Sequence, residues 1–386
     1  LNILSGKIDT GDFKLFRQAG AMKILAKLSN RMKSDVRFSG SVYRGHELSI
    51  PVNHQKLLLR CRNHELTVMP EALSTAFLIP ALSQGRRLVM DSVDEVWYRN
   101  QEQVQKMVCD WWGYMPQPVQ TKTIRKNTNP PVNQVGLAFS LGVDSMYSCF
   151  FADPRPNLLV LVGGFDVPWN SQKTINAMAL SARDIADELG MDWTVVETNL
   201  RKDYLFRSES WERTYGSAAA FIGSSLTNYI DTLLISSGIY KDQLMPHGSH
   251  PDLDYLWGTS HLKIHHVGHD TTRIGKILSD SVSRSIFKKH LRVCWENPSE
   301  KGNCGQCTKC ILIKLSLLKL GADFCPDTMP NHQKIDEVLE NIPPLLDPAS
   351  LSYRKELIGI NDTKINNALK KYILRSEIAI NSRIKN

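Results

Sequence analysis

Long apolar runs are missing from this chain: no stretch of 18 or more apolar residues occurs, so nothing in it reads as a membrane span. The opening residues, Leu1 to Thr10, lack the basic flank and apolar centre of a secretory signal. Because the chain opens on leucine, its true N-terminus is left open. A basic patch interleaved with aromatics is also absent, which disfavours nucleic acid as a partner even though formal net charge is +8. Much of that excess falls in Leu351 to Asn386, with eight Lys and Arg against three Asp and Glu. There Ile365, Leu369, Tyr372 and Ile373 make one apolar stripe with basic residues around it, the pattern of a solvated helix face. His250, His261, His265, His266 and His269 show no carboxylate–histidine spacing of a zinc motif and are read as ordinary loop and core residues.

What is present is ample for two domains: 386 residues, 42% hydrophobic and 22% charged. Eight cysteines could make disulfides, but four lie within 17 residues and the rest are scattered singly. That distribution favours metal binding in a reducing, cytoplasmic compartment.

Residues 1 to about 34 read as polar and helical, anchored by Phe13, Phe16, Met22, Ile24, Leu25 and Leu28. Residues 36 to 125 alternate short strands (Val36 to Tyr43, Glu47 to Val52, Lys56 to Arg60, Arg87 to Met90) with helices at Leu73 to Leu82 and Glu95 to Trp112, the pattern of a small α/β unit. The polar stretch around Pro130-Pro131, residues 126–134, reads as a linker. From Val135 to about 290 strands and helices alternate: strands at 135–139, 158–162, 193–196 and 232–236, and helices from about Ser171 to Leu189 and from Gly216 to Tyr229. Such alternation predicts an α/β fold with a doubly wound parallel sheet whose ligand lies at the carboxyl ends of the strands. A metal-binding segment, 291–325, and a helical C-terminal segment, 326–386, complete the chain.

The first functional signal is the run Val135 to Ser148. A strand leads into Ser140-Leu141-Gly142-Val143-Asp144-Ser145 and then into a helix. Gly142 is expected to take a positive φ, and the helix start offers unpaired N–H groups to a phosphate. No Gly-Lys-Ser/Thr follows, so this is not a Walker A loop. Three further loops fall where strand ends should be: Gly163-Gly164-Phe165-Asp166, whose glycines could let a nucleotide ring lie close; Thr198-Asn199-Leu200-Arg201, whose arginine could pair with phosphate; and Ser236-Ser237-Gly238. Arg273 and Lys276, opening a later helix, read equally as partners of a phosphate or a carboxylate and as a solvated first turn.

The second signal is Cys294-x9-Cys304-x2-Cys307-x2-Cys310. Four soft ligands with two tight CxxC turns suit tetrahedral zinc, with a redox CxxC or an iron–sulfur cluster as the alternatives, and a closed set of four makes a zinc ion structural.

The Ser140 loop resembles the pyrophosphate loop, Ser-Gly-Gly-x-Asp-Ser, of the ATP pyrophosphatase superfamily. Leu141 stands at that motif's first glycine, where a positive φ would strain it. With the cysteine cluster, residues 135 to 320 are similar to the 7-cyano-7-deazaguanine synthases. The resemblance implies ATP-driven adenylation of a carboxylate with release of AMP and pyrophosphate, attack by ammonia or another amine to give an amide, and a second activation to give a nitrile. It implies Ser140, Asp144 and Ser145 as catalytic residues, with Ser140, Gly142, Val143, Asp144, Ser145, Gly164, Asn199, Arg201 and Arg273 around the nucleotide. Cys294, Cys304, Cys307 and Cys310 hold zinc in this scheme; ATP, Mg2+ and Zn2+ are the groups implied. No Gly-Arg-Asn substrate segment is found, although Tyr215-Gly216-Ser217 stands near its place, and the first 125 residues have no counterpart, so a changed, larger substrate is expected. The sequence also allows a homodimer. Two other readings stand beside this one: a tRNA-thiolating enzyme, which would use Cys149, and an inactive ATP- and zinc-binding interaction module.

Overall fold

Strands and helices alternate through the computed structural model, which describes residues 35–38, 42–126, 130–279, 284–296, 302–322, 324–330 and 334–384. The helix expected within 1–34 and residues 127–129 of the expected linker lie outside the described residues.

In chain order, β1 (Val36–Phe38), β2 (Tyr43–Gly45), β3 (Glu47–Val52), β4 (Gln55–Cys61) and β5 (Leu66–Val68) precede α1 (Pro70–Ser83), β6 (Leu88–Asp94), α2 (Glu95–Trp112) and β7 (Val119–Arg125). Then come β8 (Val135–Phe139), α3 (Val143–Phe151), β9 (Leu158–Gly163), α4 (Gln172–Leu189), β10 (Asp192–Thr198), α5 (Trp211–Ser224), β11 (Thr232–Ser236), α6 (Pro251–Asp254) and β12 (Lys263–Val267). The chain continues through α7 (Arg273–Ser279), α8 (Arg284–His290), α9 (Thr308–Lys319), α10 (Ile335–Asn341), α11 (Pro348–Glu356) and α12 (Thr363–Ile384). Among the described residues no helix is long and apolar enough to cross a membrane.

The central sheet runs β12-β11-β8-β9-β10-β4-β3. Its first five strands are parallel, and β4 and β3 close the far edge antiparallel. Leu233 and Ile235 face one core with Phe221 and Ile222 of α5, while Leu234 faces a second core with Met146 of α3 and Ile175 and Met178 of α4. The sheet is therefore covered on both faces. From β8 the chain goes to β9 on one side, and later returns through β11 on the other. The strand order reverses between β8 and β11, where open α/β sheets place their ligand crevice.

The expected N-terminal α/β unit is not a separate layer. Cys61, Arg60 and Leu59 of β4 pair with Val196, Glu197 and Thr198 of β10, and the first core draws on Ile50, Leu57, Phe77 and Trp97 together with Phe221 and Trp257. What belongs to the N-terminal part alone is a parallel trio, β1-β6-β7, and a short pair, β2-β5. The single strand expected from Val36 to Tyr43 is thus replaced by β1 and β2, which join different sheets. Helix α5 starts at Trp211, earlier than the expected Gly216, and Gly216 lies inside it, where any side chain would meet the Gly248 carbonyl at 2.1 Å.

Candidate functional site

The turn between β8 and α3 is held by its own serines. The Ser140 N–H donates to Ser145 Oγ (3.2 Å), Ser145 Oγ donates to the Gly142 carbonyl (3.2 Å), and the Gly142 N–H reaches Ser140 Oγ (3.3 Å). Ser145, expected as a catalytic hydroxyl, is buried at 4% exposure and closes the turn. The positive φ falls on Leu141 (65°), and Gly142 is extended (φ −79°, ψ 166°) as the residue before the first helical turn, the reverse of the expectation. A left-handed leucine costs roughly 1–2 kcal/mol. Burying its isobutyl group in the second core returns about 1.5–3 kcal/mol, enough to hold the turn. The Leu141 carbonyl also accepts from the Arg292 N–H at 2.9 Å.

Because Leu141 points into the core, the turn leaves a cleft lined by Ser140, Gly142, Val143 and Asp144 from one side and Arg273, Arg292 and Lys309 from others. Helix α3 has no side-chain cap, so its first N–H groups carry the positive end of the helix dipole. Asp144 gives one carboxylate oxygen to Arg273 (2.6 Å) and the other to the Lys276 ammonium (3.0 Å). Lys276, 2% exposed on its side chain, also donates to the Ser237 carbonyl (2.6 Å), and Arg273 to that of Gly238 (3.3 Å). Burial works against the Asp144 charge, but Arg273 and then Lys276 overcome it and hold the carboxyl below the usual aspartate range. Tyr353 of α11 lies under the Arg273 guanidinium and donates to Gly238.

Five of the residues expected at a nucleotide meet here: Ser140, Gly142, Val143, Asp144 and Arg273. Three do not. Gly164 (φ 111°) is pressed against the Thr198 carbonyl, 1.9 Å from where a Cβ would stand, so its freedom serves a protein contact rather than a ligand. Asn199 joins β10 to β4, accepting from the Leu58 N–H (2.7 Å) and donating to the Lys56 carbonyl (3.0 Å). Arg201 donates to the Phe165 carbonyl and lies over the Trp211 ring at 4.5 Å. Arg292 and Lys309 complete the cleft without having been read from the sequence, and Asp166 reaches it from the Gly163–Asp166 loop. Only the proximity of Arg292 to Cys294 hinted at the first. Its guanidinium fits because Gly302 (φ 106°) has no Cβ, which would lie 2.5 Å away.

Cys294, Cys304, Cys307 and Cys310 converge with all sulfurs within 4.8 Å of one another. Cys294 and Cys307 are 3.8 Å apart, and Cys304 and Cys310 3.9 Å. Four thiolates about 2.3 Å from a zinc ion lie about 3.8 Å apart along tetrahedral edges, so the donor set fits that metal. The Cys307 N–H bonds Cys304 Sγ (3.2 Å), the kind of contact that orients a thiolate. Hydrogen bonds, first from Cys310, pull the Cys307 thiol down to about 5, and the same partnership drives Cys310 upward. Cys294 and the exposed Trp295 also line the cleft, so the cysteine cluster is one of its walls. Among the described residues the histidines form no such group.

Comparison with protein-family models, curated proteins and solved structures gives no match to this chain.

Proposed function

We propose that the chain is an ATP-dependent, AMP-forming ligase of the ATP pyrophosphatase kind. It would adenylate a substrate carboxylate and pass the acyl group to ammonia or another amine, giving an amide and, after a second cycle, a nitrile. The observation that carries this reading is the Ser140–Ser145 turn: it sits at the strand-order reversal, with Leu141 turned into the core and an uncapped helix start facing a cationic cleft.

In this scheme the α3 N-terminus and the Ser140 hydroxyl take the departing diphosphate, and Arg273, Arg292 and Lys309 balance its charge. Asp144 keeps Arg273 and Lys276 in place. Both its oxygens are engaged, so it is poorly placed for magnesium, and Asp166 is the other carboxylate on the cleft. Magnesium would accompany the triphosphate and neutralise it. Zinc, held by Cys294, Cys304, Cys307 and Cys310, would clamp the wall that bears Trp295 and Lys309, and with four protein ligands it takes no part in the chemistry. Cys149, the residue a thiolation reading needs, is 1% exposed in the second core, which favours amide formation over sulfur transfer.

The test is nucleotide analysis after incubating the chain with ATP, magnesium, ammonium and a panel of candidate carboxylic acids, from deazapurine carboxylates to larger ones. Acid-dependent AMP and pyrophosphate are expected; ADP with free phosphate, or no cleavage, rejects the reading.

A further inference from the structure

A second polar cluster lies at the carboxyl end of β12, the strand beside β11. Asp254 at the end of α6 is 0% exposed, and the His266 side chain is 3% exposed. His266 Nδ1 stands 2.8 Å from Asp254 Oδ2, and Ser249 Oγ donates to the same oxygen at 2.5 Å. An ionised carboxylate only accepts, so the ring nitrogen facing Asp254 carries the proton, and in the neutral ring it is Nε2 that has the lone pair. That Nε2 is buried and has no hydrogen-bond partner. His269 Nδ1, on a ring 5.5 Å away, is buried and unpartnered as well. Buried polar atoms are rarely left so, and each costs about 1–3 kcal/mol when it is. Neither atom is satisfied by the protein itself.

The cluster belongs to the same end of the sheet as the Ser140 turn. His266 is in register with Ile235, two residues before the Ser237 whose carbonyl holds Lys276, and Lys276 in turn holds Asp144. From α5, Tyr215 reaches His247 Nδ1 at 3.2 Å, and burial first, then the charge of Asp254, keep its phenol protonated. Around His266 stand Asp254, His247, His250 and His269; Lys276, Asp270 and Lys241 face His269. Burial before all else lowers the pKa of His269, so that ring stays neutral near pH 7.

Amide formation has a requirement that the Ser140 turn does not meet. An amine that attacks an acyl adenylate must lose a proton, and Asp144, held low by two cations, is a poor acceptor. We propose that His266, oriented by Asp254, is the general base of the amine-transfer step, on the premise of the ligase reading above. The nitrogen–carbon bond forms as the carbon–oxygen bond to AMP breaks with its electron pair going to the phosphate oxygen. The amine proton passes to His266 Nε2, and the resulting imidazolium is neutralised by Asp254.

The test separates the two half-reactions in the full-length chain. ATP, magnesium and the acid of that panel that supports AMP release are supplied first with ammonium and then with hydroxylamine, which attacks activated acyl groups without a base. His266→Asn keeps an N–H toward Asp254 and deletes Nε2. It is expected to slow amide formation from ammonium by about 100-fold while hydroxamate formation stays within about 3-fold of the native chain. Asp254→Asn, which turns the ring to the wrong tautomer, is expected to give the same partition. A folded His266→Asn chain that uses ammonium at the native rate, or loses both amines equally, overturns the assignment. If the native chain makes no AMP with either amine, the ligase reading itself fails and takes this one with it.

Discussion

Asp144 receives its two cations from 129 and 132 residues further along the chain. Replacing it by asparagine leaves a largely buried guanidinium and ammonium without their counter-charge, at a cost of about 2–4 kcal/mol, somewhat under that of a fully buried pair because a fifth of the side chain is exposed. Urea denaturation of native and Asp144→Asn chains measures this. The folded-state pKa of Asp144 lies below its ordinary 3.8, so the native advantage is fully present above about that pH and is lost as pH falls through the lowered value. A difference unchanged between pH 7 and pH 2 contradicts the ion-pair account. At this scale the sequence discloses what is local. Ser140, Gly142, Asp144 and Ser145 are readable because a strand, a turn and a helix start follow one another within a few residues. Arg292, Lys309 and the Asp254–His266 pair are not, since only the fold brings them to the strand ends.

Helix α9 is built on the cysteine cluster: Cys307 precedes its first turn, and Ile311, Leu312, Ile313 and Leu315 enter the second core. Arg354 of α11 donates to the Thr308 carbonyl, tying the C-terminal helices to the same support. Elemental analysis is expected to find about one zinc per chain. Cys304→Ser is expected to lose it and to lower stability by several kcal/mol, within the order of 10 kcal/mol that such centres supply, whereas Cys149→Ser keeps the metal. Full zinc content in Cys304→Ser sinks this account. Elements with a clear period were legible: β8, β9, β11, α2 and α4 fall within a residue or so of expectation, and Gly190 (φ 64°) ends α4 as expected. β12 was missed because Lys263-Ile264-His265-His266-Val267 carries two histidines where an apolar run is looked for. The start of α5 was misplaced because Gly216 reads as punctuation, when its real constraint is the Gly248 backbone.

The molecule is sewn together across its middle. Besides the β4–β10 ladder, Arg62 pairs with the buried Glu197 at 2.8 Å, and Asn199 holds both Leu58 and Lys56. A fragment beginning at residue 130 would expose the β10 edge and half of the first core, so it is expected to aggregate or to lack a cooperative thermal transition. A soluble fragment melting like the intact chain would show the two parts to be independent. This union was illegible in sequence, since a composition shift and Pro130-Pro131 look the same whether a linker separates two bodies or loops over one. Antiparallel pairing of β4 with β10 also sets an order of events during translation. The partners are about 135 residues apart, as Arg62 and Glu197 are. At ~5–20 residues per second, a ribosome needs on the order of ten seconds to make the second after the first. Through that interval the nascent β3–β4 hairpin carries an unpaired strand edge, the sort of surface that chaperones cover until its mate emerges.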